Sequence, residues 1–375
     1  MPKKKKIEKK KAVDFSLLMG TLTLVFIGII MVFSSSWPEA LQKYGDGYLF
    51  LKKQIIAASV GMIGLLFCMN VDYKIWKKYS FWIYLLALIT GALIFSPLGM
   101  EAKGARRWID LGFTTFMPSD AIKLGSIIFF ANFLSNKKDN IKTLKQGTIP
   151  ALIIIGISCG FIYIQKDLGT TITLAGTLMA MFFIAGMNLS HILLMALPIA
   201  GLGFLMLSGP ENAYRRNRIT AFRDPFAYKL DIGWQAVQSL YALGSGGLFG
   251  LGLGKSRQKF SYIPESYNDF IFSIIGEELG FLGTLAVSLI LLLVIWRGIR
   301  IALSIEDTFG CYLASGITAL ITIQSLIHIA VVTSSIPTTG ITLPFVSYGG
   351  TSLMIYMSAI GILLNISRYA DLDRS

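Results

Sequence analysis

The feature that most constrains this chain is a series of long apolar segments, each close to the length that crosses a lipid bilayer. A membrane-spanning helix needs about 20 mostly apolar residues, because the hydrocarbon core is about 30 Å thick and a helix rises about 1.5 Å per residue. Ten segments are candidates, of which the fourth and fifth are short: 15–36, 50–70, 79–99, 120–135, 148–164, 169–187, 190–208, 270–296, 309–333 and 345–367. The sequence therefore predicts an all-α integral membrane protein with ten transmembrane helices.

The composition agrees with a membrane location and argues against other classes of protein. Of the 375 residues, 54% are hydrophobic and 15% are charged, whereas a soluble domain has about 25% charged residues. The apolar residues lie in blocks rather than at amphipathic spacing, which excludes a soluble enzyme and a coiled coil. Much of the net charge of +13 lies in the N-terminal tail and in short loops, which argues against nucleic-acid binding. Three cysteines without motif spacing predict neither a disulfide framework nor a zinc site: Cys68, Cys159 and Cys311.

The distribution of basic residues predicts the orientation of the helices. Cytoplasmic loops of membrane proteins carry an excess of lysine and arginine, and the first 11 residues contain seven lysines. With the N-terminus in the cytoplasm, further basic residues fall in cytoplasmic loops and the C-terminal tail: Lys74, Lys77, Lys78, Lys137, Lys138, Lys142, Lys145, Arg297, Arg300, Arg368 and Arg374. We therefore predict four parts: a basic cytoplasmic tail (1–11), a membrane domain (12–370), its large extracytoplasmic loop between helices 7 and 8 (209–269), and a cytoplasmic tail (371–375).

A second set of basic residues falls on the outer side, where this rule does not explain it. The loop between helices 3 and 4 and the long loop contain most of them: Lys103, Arg106, Arg107, Arg215, Arg216, Arg218, Arg223, Lys229, Lys255, Arg257 and Lys259. A basic cluster beside a bilayer suits an anionic ligand such as a lipid diphosphate. A solvated loop whose arginines pair with phospholipid headgroups is the alternative.

Three carboxylates near the start of helix 8 indicate a candidate site. Asp269 lies where the long outer loop enters the helix, and Glu277 and Glu278 lie deeper. A carboxylate within a membrane span is costly and is a functional hypothesis by default. With 3.6 residues per helical turn, Glu277 can share a cavity with Asp269, whereas Glu278 needs an arginine or a neighbouring helix as partner. The alternatives are a helix N-cap for Asp269 and structural ion pairs for the glutamates.

Three other polar positions near the outer surface are candidates, each with a structural alternative. Arg107 lies next to Trp108, and the two can form an interfacial anchor. Lys123 follows Asp120 by three residues, so the pair can be a local ion pair, and Asp120 can cap helix 4. Asp167 directly precedes helix 6 and can cap it.

Two stretches rich in glycine or proline predict irregular backbone near the outer surface. The stretch 242–254 contains six glycines, which prevent a stable helix and let backbone amides approach a ligand. A short amphipathic helix over 231–243 precedes it and can lie on the membrane. The stretch 337–350 opens helix 10, and irregular backbone at that depth is tolerated only where protein or a wet cavity covers it. Together these features predict an outward-facing polar cavity.

The order and spacing of several motifs resemble one known family over nearly the whole chain. The motifs are GARRWI, QKDLGT, YRRNR with FRDP, GWQAVQSLYALGSGGLFGLGLGKSRQKF, IPESYNDFIF, GEELG and TTGITLPFVSYGG. The chain is similar to the SEDS proteins (shape, elongation, division and sporulation), and closest to their FtsW/SpoVE branch rather than to RodA. The resemblance implies an inverting peptidoglycan glycosyltransferase that polymerises lipid II on the outer face of the bacterial cytoplasmic membrane, with undecaprenyl diphosphate as leaving group. It also implies a class B penicillin-binding protein and other division or sporulation proteins as partners.

The resemblance further implies roles for individual residues. The essential aspartate of the family matches Asp269, and positions associated with substrate or activity match Arg107, Lys123, Asp167, Arg216, Lys259 and Glu277. The chain departs from the family at four places: Lys166 where members often have proline, Tyr267-Asn268 where they often have His-Thr, His328 where they usually have asparagine, and Asp120 where they often have glutamate. None of these departures removes the aspartate, but they leave the role of Asp120 open.

The residues are themselves compatible with this chemistry. A sugar hydroxyl attacks an anomeric carbon whose leaving group is a lipid diphosphate, so one base and several cations suffice, without the second carboxylate of a glycosidase. We assign Asp269 as the general base, strengthened by partial burial beside Glu277, and the cations that stabilise the diphosphate are Arg107, Arg216 and Lys259. The sequence shows no required cofactor and no metal-ligand set; a divalent cation, Mg²⁺ or Mn²⁺, between Asp269 and the diphosphate stays open.

Two other functions are alternatives. A lipid II flippase predicts essential charges along a path across the bilayer, whereas helices 1, 2, 3 and 9 lack acidic residues. A non-catalytic scaffold that recruits a transpeptidase predicts that Asp269 and the arginines are dispensable. Both leave the cavity of carboxylates and cations unexplained, so the enzyme is the preferred interpretation.

Overall fold

The computed structural model describes residues 11–102, 105–110, 115–188, 190–191, 213–260 and 262–371. Within these residues the chain forms eleven α-helices: α1 Phe15–Tyr44, α2 Leu49–Asn70, α3 Tyr73–Ala92, α4 Pro118–Asn136, α5 Ile149–Ile164, α6 Leu168–Ile184, α7 Ala213–Arg223, α8 Trp234–Ser245, α9 Ile271–Ser304, α10 Thr308–Val332 and α11 Gly350–Ser367. Three shorter helical turns are Leu93–Phe95, Lys138–Asn140 and Leu144–Thr148.

Within the described residues, seven helical segments are long and apolar enough to cross a membrane: Phe15–Tyr44, Leu49–Asn70, Tyr73–Phe95, Leu144–Ile164, Ile271–Ser304, Thr308–Val332 and Gly350–Ser367. Helix α6 is apolar but shorter, with 17 residues, and α4 has 19 residues and a charged first turn. The prediction of a helical protein with several membrane-spanning segments is therefore confirmed. Almost all of the predicted seventh helix, 190–208, lies outside the described residues, so the count of ten stays a prediction.

Several helices extend beyond the apolar limits read from the sequence. Helix α1 continues to Tyr44 instead of ending at 36. Its C-cap is Gly45, whose φ of 72° is left-handed. Helix α3 begins at Tyr73 instead of 79, because the Asp72 side chain accepts a hydrogen bond from the Lys74 N–H at 2.9 Å and caps it. Capping residues, and not the end of the apolar run, set these limits.

Hydrogen bonds place both ends of the described chain on one face of the helix bundle, which we call the terminal face. The Asp14 carboxylate accepts from the Arg297 guanidinium, near the end of α9, at 2.6 and 2.7 Å. The Asp14 N–H donates to Ser367 Oγ, at the end of α11, at 3.1 Å. The Tyr73 N–H, at the start of α3, donates to Asn365 Oδ1 at 2.8 Å. The shared face agrees with an even number of membrane crossings, while the side of the membrane that it occupies stays a prediction.

Helices α2 and α11 pack along each other, and glycines explain how closely they approach. A Cβ atom at Gly361 of α11 would lie 2.4 Å from the Leu65 carbonyl oxygen of α2, and one at Gly61 of α2 would lie 2.6 Å from Met357 Sδ. Small residues let helix backbones approach in a membrane, where packing drives association. This pair supports the segment before α11 that contributes to the site.

A small antiparallel sheet joins α3 to α4 on the face opposite the terminal face, and the sequence analysis did not predict it. Its strands are β1 Gly99–Ala102, β2 Ala105–Asp110 and β3 Thr115–Phe116, in the order β1-β2-β3. The prediction of an all-α protein is therefore incomplete, because it lacks this three-stranded sheet. Strand β2 carries the two arginines of the GARRWI motif, so the sheet fixes where they lie.

Helix α9 is broken at Gly280, whose φ of 68° and ψ of −165° are not helical. The break frees backbone carbonyls before it and amides after it, and the glycine-rich stretch 246–252 bonds to them. Four backbone hydrogen bonds of 2.8–3.1 Å join the two: Leu251 N to Glu277 O, Gly252 N to Glu278 O, Phe281 N to Gly247 O, and Leu282 N to Leu248 O. The break is thus satisfied by protein, as irregular backbone at membrane depth requires.

The glycines of this stretch permit contact with α9. A Cβ atom at Gly246 would lie 1.9 Å from the Gly276 carbonyl oxygen, and one at Gly250 would lie 2.2 Å from the Glu278 carbonyl oxygen. These two glycines therefore serve contact with a helix, while approach of this stretch to a ligand stays a prediction. The helix predicted over 231–243 is observed as α8, which packs against α9 and α10.

Candidate functional site

Asp269 lies at the mouth of α9, against the segment that connects α10 to α11. A Cβ atom at Gly340 would lie 3.3 Å from Asp269 Oδ2, and Gly340 has a φ of 76°, where other residues are strained. The N-cap of α9 is Phe270, without a side-chain capping bond. Asp269 is therefore not the N-cap residue of α9, and it is half-buried.

The two residues before Asp269 are held by the turn that precedes α11. The Ser347 hydroxyl donates to the Asn268 carbonyl at 2.8 Å and accepts from the Leu343 N–H at 2.8 Å. The Tyr348 N–H donates to the Tyr267 carbonyl at 3.0 Å. The backbone just before Asp269 is thus held by residues that follow Gly340 in the chain.

Tyr267 adds an aromatic contact to this support. Its ring lies 4.5 Å from the Phe50 ring of α2 and 5.6 Å from the Tyr348 ring, measured between centroids. Burial raises the pKa of the Tyr267 phenol, and the nearby carboxylates of Glu39 and Glu265 raise that pKa further. The phenol is therefore neutral at physiological pH and adds no charge beside Asp269.

Arg107 contacts the corner before α6 through backbone. Its Nη2 donates to the Lys166 carbonyl at 2.5 Å. Lys166 has a φ of 58°, a value that proline cannot adopt because its ring fixes φ near −65°. The departure from the family at Lys166 therefore accompanies a corner conformation that a proline would not permit.

Asp167 acts as the N-cap of α6. Its carboxylate accepts from the Thr170 N–H at 3.1 Å and from the Thr170 hydroxyl at 2.9 Å. This matches the structural alternative raised from the sequence. Gly169, two residues after Asp167, packs on the segment between α10 and α11. A Cβ atom at Gly169 would lie 3.0 Å from the Thr339 carbonyl oxygen.

Lys123 lies in a buried polar network that joins α4, α10 and α11. Its Nζ contacts Asp120 Oδ1 at 2.8 Å, Gln324 Oε1 at 3.0 Å and the Tyr356 hydroxyl at 3.3 Å. Tyr356 also donates a hydrogen bond to Gln324 Oε1. The anticipated ion pair between Asp120 and Lys123 is therefore present, and Gln324 extends it by donating to the Thr342 carbonyl at 3.0 Å.

Helix α7 brings Arg218 to this region. Its Nη1 donates to the Thr338 carbonyl at 2.8 Å. Arg216, which the family resemblance favoured, is exposed on the same helix. Two arginines two residues apart face different directions on a helix, and the sequence did not fix which one faces the site.

Five consecutive residues, 338–342, connect these groups, and we call them the 338–342 segment. Its contacts are Thr338 with Arg218, Thr339 with Gly169, Gly340 with Asp269, Ile341 with His328, and Thr342 with Gln324. The structure therefore brings Asp269, the corner containing Asp167 and the Lys123 network to one short segment. Sequence reasoning missed Gln324, although a glutamine inside an apolar span was an available signal.

Several buried polar atoms near these elements have no hydrogen-bond partner in the part of the chain that the structure describes: Arg107 Nε, Ser119 Oγ, Asp120 Oδ2, both amide atoms of Gln165, His328 Nε2 and Thr339 Oγ1. A buried unpaired polar group costs about 1–3 kcal/mol, so such a concentration needs an explanation. A polar ligand or water among α4, the 165–167 corner and the 338–342 segment would supply the missing partners.

The remaining predicted residues form a second cluster. Lys259 Nζ lies 2.9 Å from Glu278 Oε1, and the Ser34 hydroxyl donates to the same carboxylate at 2.7 and 2.8 Å. Glu277 accepts from the Ser256 hydroxyl and from the Arg257 N–H at 2.9 Å. Glu277 is thus hydrogen-bonded to the turn that follows the glycine-rich stretch. The partners of Glu278 are a lysine and a residue of the neighbouring helix α1.

A cleft of about 340 Å³ opens beside this second cluster. Ser34 and Lys259 supply its polar atoms, and the rest of its lining is mostly apolar: Ile30, Phe33, Trp37, Leu253 and Gly254. Because the ammonium is already paired with Glu278, the cleft presents an ion pair and not an uncompensated cation.

The described residues contain no group of three or more histidine, cysteine, aspartate or glutamate side chains arranged to hold a metal ion. His191 Nδ1 lies 2.7 Å from the Thr148 hydroxyl, and His328 Nδ1 lies 2.8 Å from the Ile341 carbonyl. A divalent cation between Asp269 and a bound diphosphate stays a prediction.

Comparison with known proteins gives similarity over the whole length. The profile of the FtsW/RodA/SpoVE family, described as "Cell cycle protein", matches residues 15–372. Stage V sporulation protein E of Bacillus subtilis (strain 168) is 45% identical over 96% of this chain and 99% of its own length. A probable peptidoglycan glycosyltransferase FtsW of Geobacter sp. (strain M18) is 41% identical over 94% of this chain and 96% of its own.

One solved structure establishes the fold. A chain described under "Structural coordination of polymerization and crosslinking by a peptidoglycan synthase complex" superposes with a TM-score of 0.77, at 23% identity, over 97% of this chain and 99% of that chain. The predicted helical membrane fold is therefore confirmed in class.

Proposed function

Because the chain belongs to the FtsW/RodA/SpoVE family of cell cycle proteins, we propose that it is a peptidoglycan glycosyltransferase that polymerises lipid II, with Asp269 as general base. The observation that carries this proposal is the meeting of Asp269, the 165–167 corner and the Lys123 network on the 338–342 segment. A polar substrate bound there would supply partners for the unpaired polar atoms.

The reaction is a substitution at an anomeric carbon. An acceptor sugar hydroxyl forms the new C–O bond, and its proton passes to the Asp269 carboxylate. The bond between the anomeric carbon and the diphosphate breaks, and its electron pair leaves with undecaprenyl diphosphate. Because this leaving group is already stable as an anion, no general acid is required.

Two arginines are the best-placed cations for the diphosphate. Arg218 reaches the 338–342 segment, which contacts Asp269, and Arg107 reaches the 165–167 corner, which adjoins the same segment through Gly169. Arg216 and Lys259 remain candidates from the family resemblance. Lys259 is the weaker of these, because a phosphate would have to compete with Glu278 for its ammonium.

The setting of the reaction follows from the family. The face that carries Asp269 would be the outer face of the bacterial cytoplasmic membrane, and the termini would be cytoplasmic. A class B penicillin-binding protein would crosslink the product strands, in division or sporulation. The relatives' names support the activity, and the substrate and partner are part of this proposal.

The test is polymerisation of labelled lipid II by the purified protein, alone and with a cognate penicillin-binding protein whose own active site is inactivated. Asp269→Asn preserves shape and removes the base, so we expect a loss of about 10²- to 10⁴-fold in rate. Asp231→Asn changes an exposed aspartate of the same loop and should leave the rate unchanged.

Two results would contradict the proposal. Strands made by Asp269→Asn at the wild-type rate would keep the enzyme and reject the base. Absence of strands from the wild-type protein under every partner condition would reject the polymerase itself. Thermal unfolding of each variant in detergent separates lost chemistry from lost folding.

A further inference from the structure

We propose that His328 and Gln324 are positioning residues for Asp269, acting through the backbone of residues 340–342. The inference rests on the proposed role of Asp269 as base. Neither side chain is among the predicted catalytic or binding residues, and each is buried inside α10.

His328 and Gln324 hold two successive carbonyls from one face of one helix. His328 Nδ1 lies 2.8 Å from the Ile341 carbonyl oxygen. A carbonyl only accepts hydrogen bonds, so Nδ1 carries the hydrogen. One turn earlier on α10, Gln324 Nε2 donates to the Thr342 carbonyl at 3.0 Å and lies 3.3 Å from the Thr342 hydroxyl.

These bonds fix the residue that forms a wall of the Asp269 carboxylate. Gly340 directly precedes Ile341, and its α-carbon faces Asp269 so closely that a Cβ atom would lie 3.3 Å from Oδ2. Gly340 has a φ of 76°, which glycine adopts without strain and other residues do not. Release of the Ile341 carbonyl would let this wall move and would expose the carboxylate to water.

The Lys123 network explains why Gln324 is a rigid anchor. Its Oε1 accepts from Lys123 Nζ at 3.0 Å and from the Tyr356 hydroxyl, and Lys123 is itself paired with Asp120 at 2.8 Å. The amide therefore has one orientation, with its donor toward Thr342. This links Lys123, a residue predicted from the sequence, to Asp269 through a glutamine and a peptide.

The experiment compares His328→Leu, His328→Asn and Ser325→Ala in lipid II polymerisation, with kcat and KM measured over a range of pH. Asparagine places an amide N–H where Nδ1–H stood, whereas leucine has no donor. Ser325 is buried on the same helix, and its hydroxyl has no partner among the described residues, so Ser325→Ala is the matched control.

We expect His328→Leu to lower kcat by about ten- to a hundred-fold, the effect of a small misplacement of a catalytic group, with KM unchanged. The acidic limb of its pH profile should move to lower pH, because a carboxylate open to water ionises more readily. His328→Asn should restore both kcat and the pH profile. If His328→Leu fails to fold, Gln324→Glu removes the donor to Thr342 while keeping the acceptor for Lys123, and the same changes are expected.

Wild-type kcat and pH profile in His328→Leu, together with an inactive Asp269→Asn, would overturn the inference and leave the proposed function intact. Equal losses in His328→Leu and His328→Asn would also overturn it, because they would show a requirement for the ring itself. An Asp269→Asn protein as active as wild type would instead reject the base assignment on which the inference rests.

Discussion

At the scale of single residues, the buried pair of Lys259 and Glu278 distinguishes a structural role from substrate binding. Glu278 is fully buried and Lys259 is 5% exposed, and their atoms lie 2.9 Å apart. Removing one partner of such a pair costs about 3–5 kcal/mol, whereas replacing both is close to neutral. We therefore expect Lys259→Met to lower stability by that amount, and the double variant Lys259→Met, Glu278→Gln to recover most of it.

Thermal unfolding in detergent measures these changes, and polymerisation of lipid II supplies the second readout. If Lys259 is structural, the double variant recovers activity along with stability. A double variant that is stable and inactive would instead favour the substrate role implied by the family resemblance. Lys255→Met, a lysine of the same turn that is exposed, is the control and should change neither quantity.

The candidate residues show how far side-chain environments could be predicted. Asp269 is a candidate because it lies where the long outer loop enters a span and because it matches the essential aspartate of the family. Helical spacing does not give the direction of Glu277 relative to Asp269, because α9 begins only at Ile271 and Phe270 has a non-helical φ of −126° and ψ of 22°. The contact between Lys259 and Glu278 is tertiary and leaves no local pattern.

At the scale of elements, the break in α9 is the feature on which the second cluster depends. Gly280→Ala would place a Cβ atom 2.3 Å from the Gly250 nitrogen, in a left-handed conformation. Such backbone strain costs about 1–3 kcal/mol, and the clash adds to it by displacing the glycine-rich stretch. We expect a lower unfolding temperature and reduced activity, measured by thermal unfolding and polymerisation.

Gly244→Ala is the matched control for this prediction. Gly244 belongs to the same glycine-rich stretch, but it lies in the last turn of α8 and a Cβ atom there would meet nothing within 4 Å. Alanine is favoured over glycine in a helix by about 1 kcal/mol, so this variant should be as stable as wild type or more so. Equal destabilisation by both variants would show that the break is not the cause.

A helix or strand could be predicted from the sequence where a single physical requirement, such as the thickness of the bilayer, determines it. The apolar segments located the spans, because a bilayer demands a fixed apolar length. The strands of two to six residues between α3 and α4 give too short a pattern to recognise. Five of the six glycines lie in irregular backbone, as predicted, whereas Gly244 lies in α8. What this backbone contacts depends on a helix break about 30 residues later, which Gly280 alone does not reveal.

At the scale of the whole molecule, the loops lie on two opposite faces of the helix bundle, as their contacts show. The bond between Lys11 N and Arg368 O, at 3.0 Å, and that between Asp14 and Arg297 define the terminal face. Asp269 and the 338–342 segment lie at the other. The basic N-terminal tail predicts that the terminal face is cytoplasmic, which places the proposed site where an outer-leaflet lipid diphosphate can reach it.

This arrangement predicts the labelling of single cysteines in a chain whose own cysteines, Cys68, Cys159 and Cys311, are replaced. Lys43→Cys lies at the end of α1, opposite the terminal face, and should react with a membrane-impermeant maleimide in intact spheroplasts. Glu306→Cys, between α9 and α10 on the terminal face, should react only after the membrane is permeabilised. Both native side chains are exposed, so access depends on the side of the membrane.

The same labelling tests the predicted seventh helix, using residues that flank 190–208. Asn188 is exposed and lies near His191, which bonds to Thr148 at the start of α5, on the terminal face. Arg223 is exposed at the end of α7, whose Arg218 reaches the 338–342 segment. An odd number of crossings must separate residues on opposite sides of a membrane, so Asn188→Cys should react only after permeabilisation and Arg223→Cys in intact spheroplasts. Reaction of both from one side would reject the ten-helix topology, and reversed labelling of Lys43→Cys and Glu306→Cys would reject the orientation.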